Sequence, residues 1–500
     1  MGGIGTYFGF LRSNGASIRG IKNAARGIVP WAKGLNNIAV SVDQLGTRSG
    51  AINISQDVFH KDIFAFLDLR LNNGDDRMRA RDIFTTVNIP DLFMETVEKR
   101  GEWYLFDPHE VKSKKGWYLQ DFYDEKRGEG SFREKYQELV EDNNIEKEVV
   151  KAIDIFKSIM RAQLEGGTPF MFYRDTANRL NPNKHAGIIY ATNLCTEISQ
   201  NLSPSSIEKR VIDGNTVVTY EDAGDMVVCN LSSLNLAKVA FMSDKELEKL
   251  VDIQFRALDN TIDLNELPVE RATITNSKYR AVGGGTFGLH HALALKGYTW
   301  DSQEALDFND EIYEKINYYA VKASANLAVE KGAYPLFEGS DWDTGQYFDD
   351  RNYTSDDWLD LREQIADTGI RNGYLMAVAP NISTAQIAGT TPSIDPIFDL
   401  VYYVENNNGR KAVVAPDLNV DTYLGYGVAA VKQDQFASIA QNAVRQRHVD
   451  QAISFNLYIP KSIKVTTLLA LHLKVWDSGI KSTYYTRNSD TDVEECVWCQ

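Results

Sequence analysis

Asn193, Cys195 and Glu197 set an amide, a thiol and a carboxylate two residues apart. In an extended segment such residues point to the same side, so all three would line one face. A carboxylate there takes a proton from a substrate hydroxyl, and an amide holds an adjacent hydroxyl. A cysteine acts as nucleophile or as a sulfur-centred radical. A plainer reading stands beside this one, because C-x-E recurs by chance and a buried cysteine is usually a small hydrophobe. Tyr484-Tyr485 divides in the same way. Consecutive strand tyrosines usually put one ring in the core and one at the surface, whereas a redox role needs both phenols near the thiol. Cys496-x-x-Cys499 is more telling, since a dithiol that carries electrons between a buried site and an external reductant has to move.

Asn381-Ile382-Ser383-Thr384-Ala385 follows an apolar stretch, Tyr374 to Val378. If Ser383 and Thr384 begin a helix, free N–H groups and two hydroxyls form a phosphate cradle; the alternative is an ordinary helix cap. Gly283-Gly284-Gly285 does not meet the dinucleotide-binding pattern. The seven histidines form no H-E-x-x-H or paired E-x-x-H motif, so no intrinsic catalytic metal is expected. Cys195 and Cys229 belong to no second C-x-x-C knuckle, which argues against a four-cysteine zinc site.

The elements that must position these groups alternate between strand and helix. A helix is expected over Gly27 to Leu45, with Trp31, Ala32, Leu35 and Ile38, ending in the loop Gln44 to Gly50 that carries Arg48 at its tip. Asp91 is expected to cap a helix that stops at Gly101, before a strand from Trp103 to Phe106. Residues 112–165 read as a mostly helical layer with Tyr136, Leu139 and Val140 on its apolar face. Ile188 to Ala191 reads as a short strand running into the Asn193–Glu197 segment. Ile453, Phe455 and Leu457 alternate with Ser454, Asn456 and Tyr458 as in a half-buried strand. A helix with Leu468, Leu471 and Val475 follows, capped at Gly479, and then a strand from Ile480 to Thr486.

Five hundred residues, 43% hydrophobic and 24% charged, suit several modules or one large α/β barrel, and they exclude a disordered or fibrous chain. No apolar stretch approaches the roughly 18 residues that cross a bilayer, and Met1 to Gly9 lacks a secretory signal, so a soluble cytoplasmic protein is expected. A net charge of −16 argues against a nucleic-acid binder. Met1 to Val42 nevertheless contains no acid but carries Arg12, Arg19, Lys22, Arg26 and Lys33, which suits a nucleoside triphosphate; chance clustering or a transit peptide would also produce it. Four cysteines are too few for a secreted disulfide scaffold, so the thiols are free or redox-active.

Taken in order, these pieces resemble the large subunit of class I (Ia-like) ribonucleotide reductases over nearly the whole chain. The resemblance rests on Gly2-Gly3-Ile4-Gly5, Asp43 to Ala51, Ala80-Arg81-Asp82, Ile89 to Met94, Asn193 to Ile198, Cys229-Asn230-Leu231, Ser383 to Gln386, Tyr484-Tyr485 and the terminal C-x-x-C. It implies the C-terminal major part of a ten-stranded α/β barrel, two five-stranded parallel halves in antiparallel arrangement, with a central finger loop and helical layers. The barrel would span 1–485 and a flexible redox-active tail 486–500. The implied activity is reduction of ribonucleoside diphosphates to 2′-deoxyribonucleotides, the supply for DNA replication.

The same resemblance assigns roles. Cys195 matches the thiyl radical residue, Glu197 the base, Asn193 the ribose-holding amide, and Cys229 one of two reducing cysteines. Tyr484 and Tyr485 match the radical relay from a metal-containing small subunit, and Cys496 with Cys499 the tail recharged by thioredoxin or glutaredoxin. Gly3 and Asn381, Ile382, Ser383, Thr384 and Ala385 match substrate contacts, although the family more often has a small or polar residue at Ile382. Arg12, Gln44 and Arg48 match contacts of an allosteric dNTP or ATP effector. No covalently bound cofactor is implied, and a higher oligomer is. The family's upstream segment, with the other reducing cysteine, does not precede Met1. A split subunit of bacteriophage type, paired with a separate N-terminal chain in the host cytoplasm, is therefore expected. The alternatives are a thiol-disulfide oxidoreductase that uses only the terminal C-x-x-C, and a non-catalytic nucleotide-binding subunit.

Overall fold

The computed structural model describes residues 3–44, 48–406 and 409–488. Strands β1 (Gly3–Tyr7), β2 (Ala51–Asp57), β3 (Phe84–Ile89) and β4 (Phe170–Tyr173) pair in that order, all parallel. β2 and β4 are buried along their whole length, as strands covered on both faces are. A second group begins with β5 (Leu231–Asn235) and β6 (Gly283–Phe287), again parallel. It continues through single parallel bridges, Gly284 to Met376 and Val378 to Ile453, towards β7 (Leu457–Ile459). β8 (Ser482–Thr483) joins the groups by pairing antiparallel with β4, and β9 (Thr486–Asn488) runs parallel to β7.

The parallel halves and their antiparallel seam are present, but a closed ten-stranded ring is not described. One sheet has five strands, and among the described residues β1 and β5 each have a free outer edge. The stretch 374–378 makes bridges rather than a ladder because the Asp450 carboxylate takes the N–H groups of Leu375 (3.0 Å) and Met376 (2.6 Å). The segment 453–459 is buried on both faces, not half-buried as its alternation suggests. The final strand is interrupted, with Tyr484 and Tyr485 standing between β8 and β9. Thr486–Asn488 is paired and buried, so the fold extends past the expected start of the tail.

Other expectations shift for local reasons. Ile188 to Ala191 forms no strand: Asn178 takes both backbone groups of Ile189, at 2.9 and 3.1 Å, and Asn88 donates to the Tyr190 carbonyl at 2.8 Å. Side chains thus satisfy what a ladder would. Helix α1 (Val29–Ser41) buries Val29, Ala32 and Ala39 and leaves Trp31 and Ile38 exposed. Asp91 is the first residue of α2 (Asp91–Glu98), not its cap, and its carboxylate instead accepts from Arg179 and Trp476. The 112–165 layer contains a strand, Lys147–Lys151, paired with Glu102–Phe106. Its helix α3 (Ser131–Glu141) buries Phe132, Tyr136 and Leu139, and α4 (Ala152–Gly166) packs on α2.

Around the second group, α5 (Asp244–Leu264) opens with a Ser243–Glu246 capping box. It buries Leu247, Val251, Phe255, Leu258 and Ile262 at helical spacing against α6 (Gln303–Lys331). No described helix is long and apolar enough to cross a membrane.

The glycines of β1 exist because a loop crosses it. A Cβ on Gly5 would lie 2.1 Å from the Thr192 carbonyl oxygen, and one on Gly3 2.0 Å from the Leu194 side chain. Gly5→Ala meets backbone, which cannot swing aside, so a loss of about 1–3 kcal/mol is expected. Denaturant titration checks this; an unchanged midpoint would mean that the loop does not lie on β1.

Candidate active site

The loop on β1 carries the triplet. Asn193 closes it, donating its N–H to the Ile198 carbonyl (3.3 Å) and accepting from Ile198 N–H at Oδ1 (3.1 Å). Thr196 at the tip has φ +72°, a left-handed conformation uncommon for threonine. The segment is a turn and not a strand, which corrects the same-face argument. Asn193 and Glu197 meet across the turn instead, with Asn193 Nδ2 donating to Glu197 Oε1 at 2.9 Å.

Both halves of the fold hold this loop. From the first, Asn53 on β2 donates to the Asn193 carbonyl at 3.4 Å. From the C-terminal segments come donors to three consecutive carbonyls. Ser454 Oγ binds that of Cys195, Ser482 Oγ that of Thr196 at 3.3 Å, and Ala452 N–H that of Glu197 at 2.9 Å. Ser454 Oγ also lies 3.1 Å from Glu197 Oε2.

Cys195 is buried in an apolar cluster with Ala51, Phe170, Leu194, Tyr484 and Tyr485. It shares a side-chain hydrogen bond with Tyr484, which shares another with Tyr485; the two rings lie 4.4 Å apart. Burial raises both phenols, Tyr485 to about 12 and Tyr484 well above the usual tyrosine value, so both stay protonated at neutral pH. Burial likewise raises the Glu197 carboxyl above the ordinary carboxylate range, against the bonds from Asn193 and Ser454 that favour its charged form.

Cys229 completes the group, its Sγ 3.7 Å from Asn193 Nδ2. It is reachable by solvent inside a cavity of about 390 Å³ lined by Gly3, Asn193, Ile198, Gln200 and Cys229. The enclosing walls and the nearby Glu197 carboxylate push its thiol up to about 12, so it carries a proton at neutral pH. The cavity runs along β1, and Cys229, two residues before β5, stands in its wall.

The remaining expected residues lie elsewhere. Asn381 is tied to β5, Nδ2 donating to Ser233 Oγ at 2.8 Å. Ser383 and Thr384 are the exposed first residues of a five-residue helix α7 (Ser383–Ile387), with Ala385 buried behind them. The cap position belongs to Ile382, whose side chain makes no cap bond. Arg12 is half-buried, with a buried Nε that has no hydrogen-bond partner. Gln44 pairs with Arg48 across two short antiparallel strands; their side chains, like Cys496 and Cys499, lie outside the described residues. Arg26 and Lys33 of the basic segment line a separate cavity of about 480 Å³ with Lys61, Asp62 and Arg77. Among the described residues no cluster of three or more His, Cys, Asp or Glu could hold a metal ion.

Sequence reasoning missed Asn53, Ser454 and Ser482. The one available signal was a polar residue repeating between apolar ones near the C-terminus, and it was read as an outward face.

Residues 1–486 match the family model described as the ribonucleotide reductase barrel domain. The chain is 46% identical to the ribonucleoside-diphosphate reductase subunit alpha of Treponema pallidum, aligning over 100% of its own length and 59% of that protein. It is 38% identical to the Helicobacter pylori (strain J99) subunit of the same name, over 99% of the chain and 68% of the relative. Identity to the variola virus ribonucleoside-diphosphate reductase large subunit is 33%, over 97% and 64%. It thus spans about three-fifths of the length of the first of these relatives. The chain belongs to the ribonucleotide reductase barrel-domain family.

Proposed function

We propose that this chain is the catalysis-bearing part of a class I ribonucleotide reductase large subunit, reducing ribonucleoside diphosphates to 2′-deoxyribonucleoside diphosphates. The observation that carries the reading is the line Cys195–Tyr484–Tyr485, joined by hydrogen bonds and ending beside Asn193, Glu197 and Cys229. A metal-containing small subunit supplies the oxidising equivalent. Because both phenols are protonated, each transfer moves a proton with its electron, and the hydrogen-bonded line gives that proton a place to go.

Cys195, as a thiyl radical, abstracts the 3′-hydrogen of the ribose. Asn193 holds the ribose hydroxyls, Glu197 takes the 3′-hydroxyl proton, and one thiol of the reducing pair protonates the 2′-hydroxyl, which leaves as water. A carboxyl raised by burial suits that task, being a stronger base than an exposed one. The other thiol of the pair then gives a hydrogen atom to C2′, both Cys229 and its partner thiol being protonated at the start; the two sulfurs join as a disulfide, the electron released and the Glu197 proton reduce the 3′-ketone, and Cys195 returns the hydrogen to C3′. Cys496 and Cys499 reduce that disulfide and are recharged by thioredoxin or glutaredoxin. The substrate's diphosphate lies against Gly3 and the stretch Asn381 to Ala385. A dNTP or ATP effector acts through Arg12, Gln44 and Arg48. In this reading the open side between β1 and β5 receives barrel strands and the second thiol from large-subunit sequence beyond these 500 residues, on a separate chain in the split form.

Reconstitution with an N-terminal large-subunit chain, small subunit and thioredoxin system is expected to convert CDP to dCDP. Cys195→Ser and Tyr484→Phe should abolish turnover while leaving the fold and dithiol exchange at the tail intact. If Cys195→Ser retains full turnover, the tail-only oxidoreductase is the better account; if wild type binds nucleotide but never turns over, the non-catalytic one is. Appreciable turnover without the N-terminal chain would end the split reading.

Glu197 makes a second prediction, through pH. Its folded pKa is raised, so the folded chain binds this proton more tightly than the unfolded chain does. That stabilisation is complete below the ordinary carboxyl pKa and is lost as pH rises through the raised value. Glu197→Gln should therefore lose turnover yet gain melting temperature relative to wild type as pH rises from about 4 to 8. A melting-temperature difference that is flat across this range would contradict the raised carboxyl.

A further inference from the structure

Ser454 is fully buried and sits between two acceptors, the Cys195 carbonyl oxygen and Glu197 Oε2. A hydroxyl has one proton to donate and lone pairs to accept with, so it cannot donate fully to both at once. No freedom to move away is evident. Its backbone N–H is fixed to the Val378 carbonyl at 3.0 Å, and its chain neighbours Ile453 and Phe455 are completely buried.

We propose that Ser454 is a positioning residue that passes the charge state of Glu197 to the backbone of Cys195, through a single hydroxyl proton that changes acceptor. When Glu197 is ionised, the charge-assisted bond to Oε2 wins, because bonds to a charged acceptor are roughly twice as strong as neutral ones. The Cys195 carbonyl then loses this donor. When Glu197 holds a proton, its O–H donates to Ser454 Oγ, and the Ser454 hydroxyl turns to the Cys195 carbonyl. Apart from the O–H bond that Glu197 makes or breaks with the titrating proton, only hydrogen bonds change, and Ser454 keeps its own proton throughout.

This inference rests on the reductase reading for its use in a cycle, since Glu197 would gain its proton as water leaves the substrate. The hydrogen-bond exchange itself does not depend on that reading. Other groups facing Glu197 are Asn193 on its own loop, bound to Oε1, and the Cys229 thiol from the segment leading into β5, which feels the carboxylate charge. Tyr484, beside β8, is bonded to Cys195. Cys229 titrates far above the range in which a carboxyl does, so it stays neutral throughout.

The test is isotope-edited infrared spectroscopy of the 500-residue chain labelled with ¹³C=O cysteine. The Cys195 band is assigned by its loss in Cys195→Ser, and the Glu197 carboxyl band by its loss in Glu197→Gln. In wild type the Cys195 carbonyl band should shift in step with the Glu197 titration. In Ser454→Ala the band should stop following pH, and the Glu197 midpoint should rise by roughly one pH unit, the size expected when a charged group loses one hydrogen bond. Ser454→Thr should restore both. A wild-type Cys195 band that ignores the Glu197 titration overturns the proposal, even if neither Ser454 variant folds; so does a band that follows it equally in Ser454→Ala. Coupling without deoxynucleotide formation in the reconstituted assay would leave this device standing and sink the reductase reading, and turnover without coupling would do the reverse.

Discussion

The capture of three consecutive carbonyls at the tip of one loop is the constraint on which the site depends. Ser454, Ser482 and Ala452 each hold one of them, and Asn53 holds the loop from the opposite half of the fold. Leu194 and Cys195 anchor the loop in an apolar cluster, but Thr196 at its tip adopts a backbone geometry that costs about 1–3 kcal/mol when unsupported. Support from two sides lets a short turn keep a thiol, a carboxylate and an amide in fixed relation. The glycines of β1 serve the same end by removing the side chains that would lift the loop away.

Burial then sets the chemistry of the groups so held. Desolvation favours the protonated forms of Glu197, Cys229, Tyr484 and Tyr485 alike. The Cys229 thiol and both phenols therefore keep their hydrogens at neutral pH, while Glu197 is a stronger base than an exposed carboxylate. Such an interior suits hydrogen-atom and proton transfers better than attack by a preformed anion.

How much of this was legible in the sequence depended on whether the signal was local. Leu468, Leu471 and Val475 at helical spacing placed the helix Val465–Asp477, because periodicity acts within a turn or two. Order along the chain identified Asn193, Cys195 and Glu197, but the geometry assumed for them was wrong. Nothing local announces that Asn178 and Asn88 will satisfy the backbone at 189–190, or that Asp450 will take two strand donors seventy-odd residues away. Ser454 was overlooked for the same reason. Period-two alternation separates two faces of a strand but cannot tell solvent from a buried polar partner. An incomplete barrel was expected from the resemblance, but that β1 and β5 are the strands left with free edges is set by long-range topology.

The seam between the two halves has a consequence of its own. Thr483 of β8 pairs with Met171 of β4, and the next residue, Tyr484, lies with its ring 4.6 Å from that of Phe170 on the same strand. The stretch of chain that rivets one half to the other is thus continuous with the pair of phenols leading to Cys195. Ser482 of β8 also holds the Thr196 carbonyl at the loop tip, so the strand that joins the halves fixes both the phenol pair and the loop that carries the thiol.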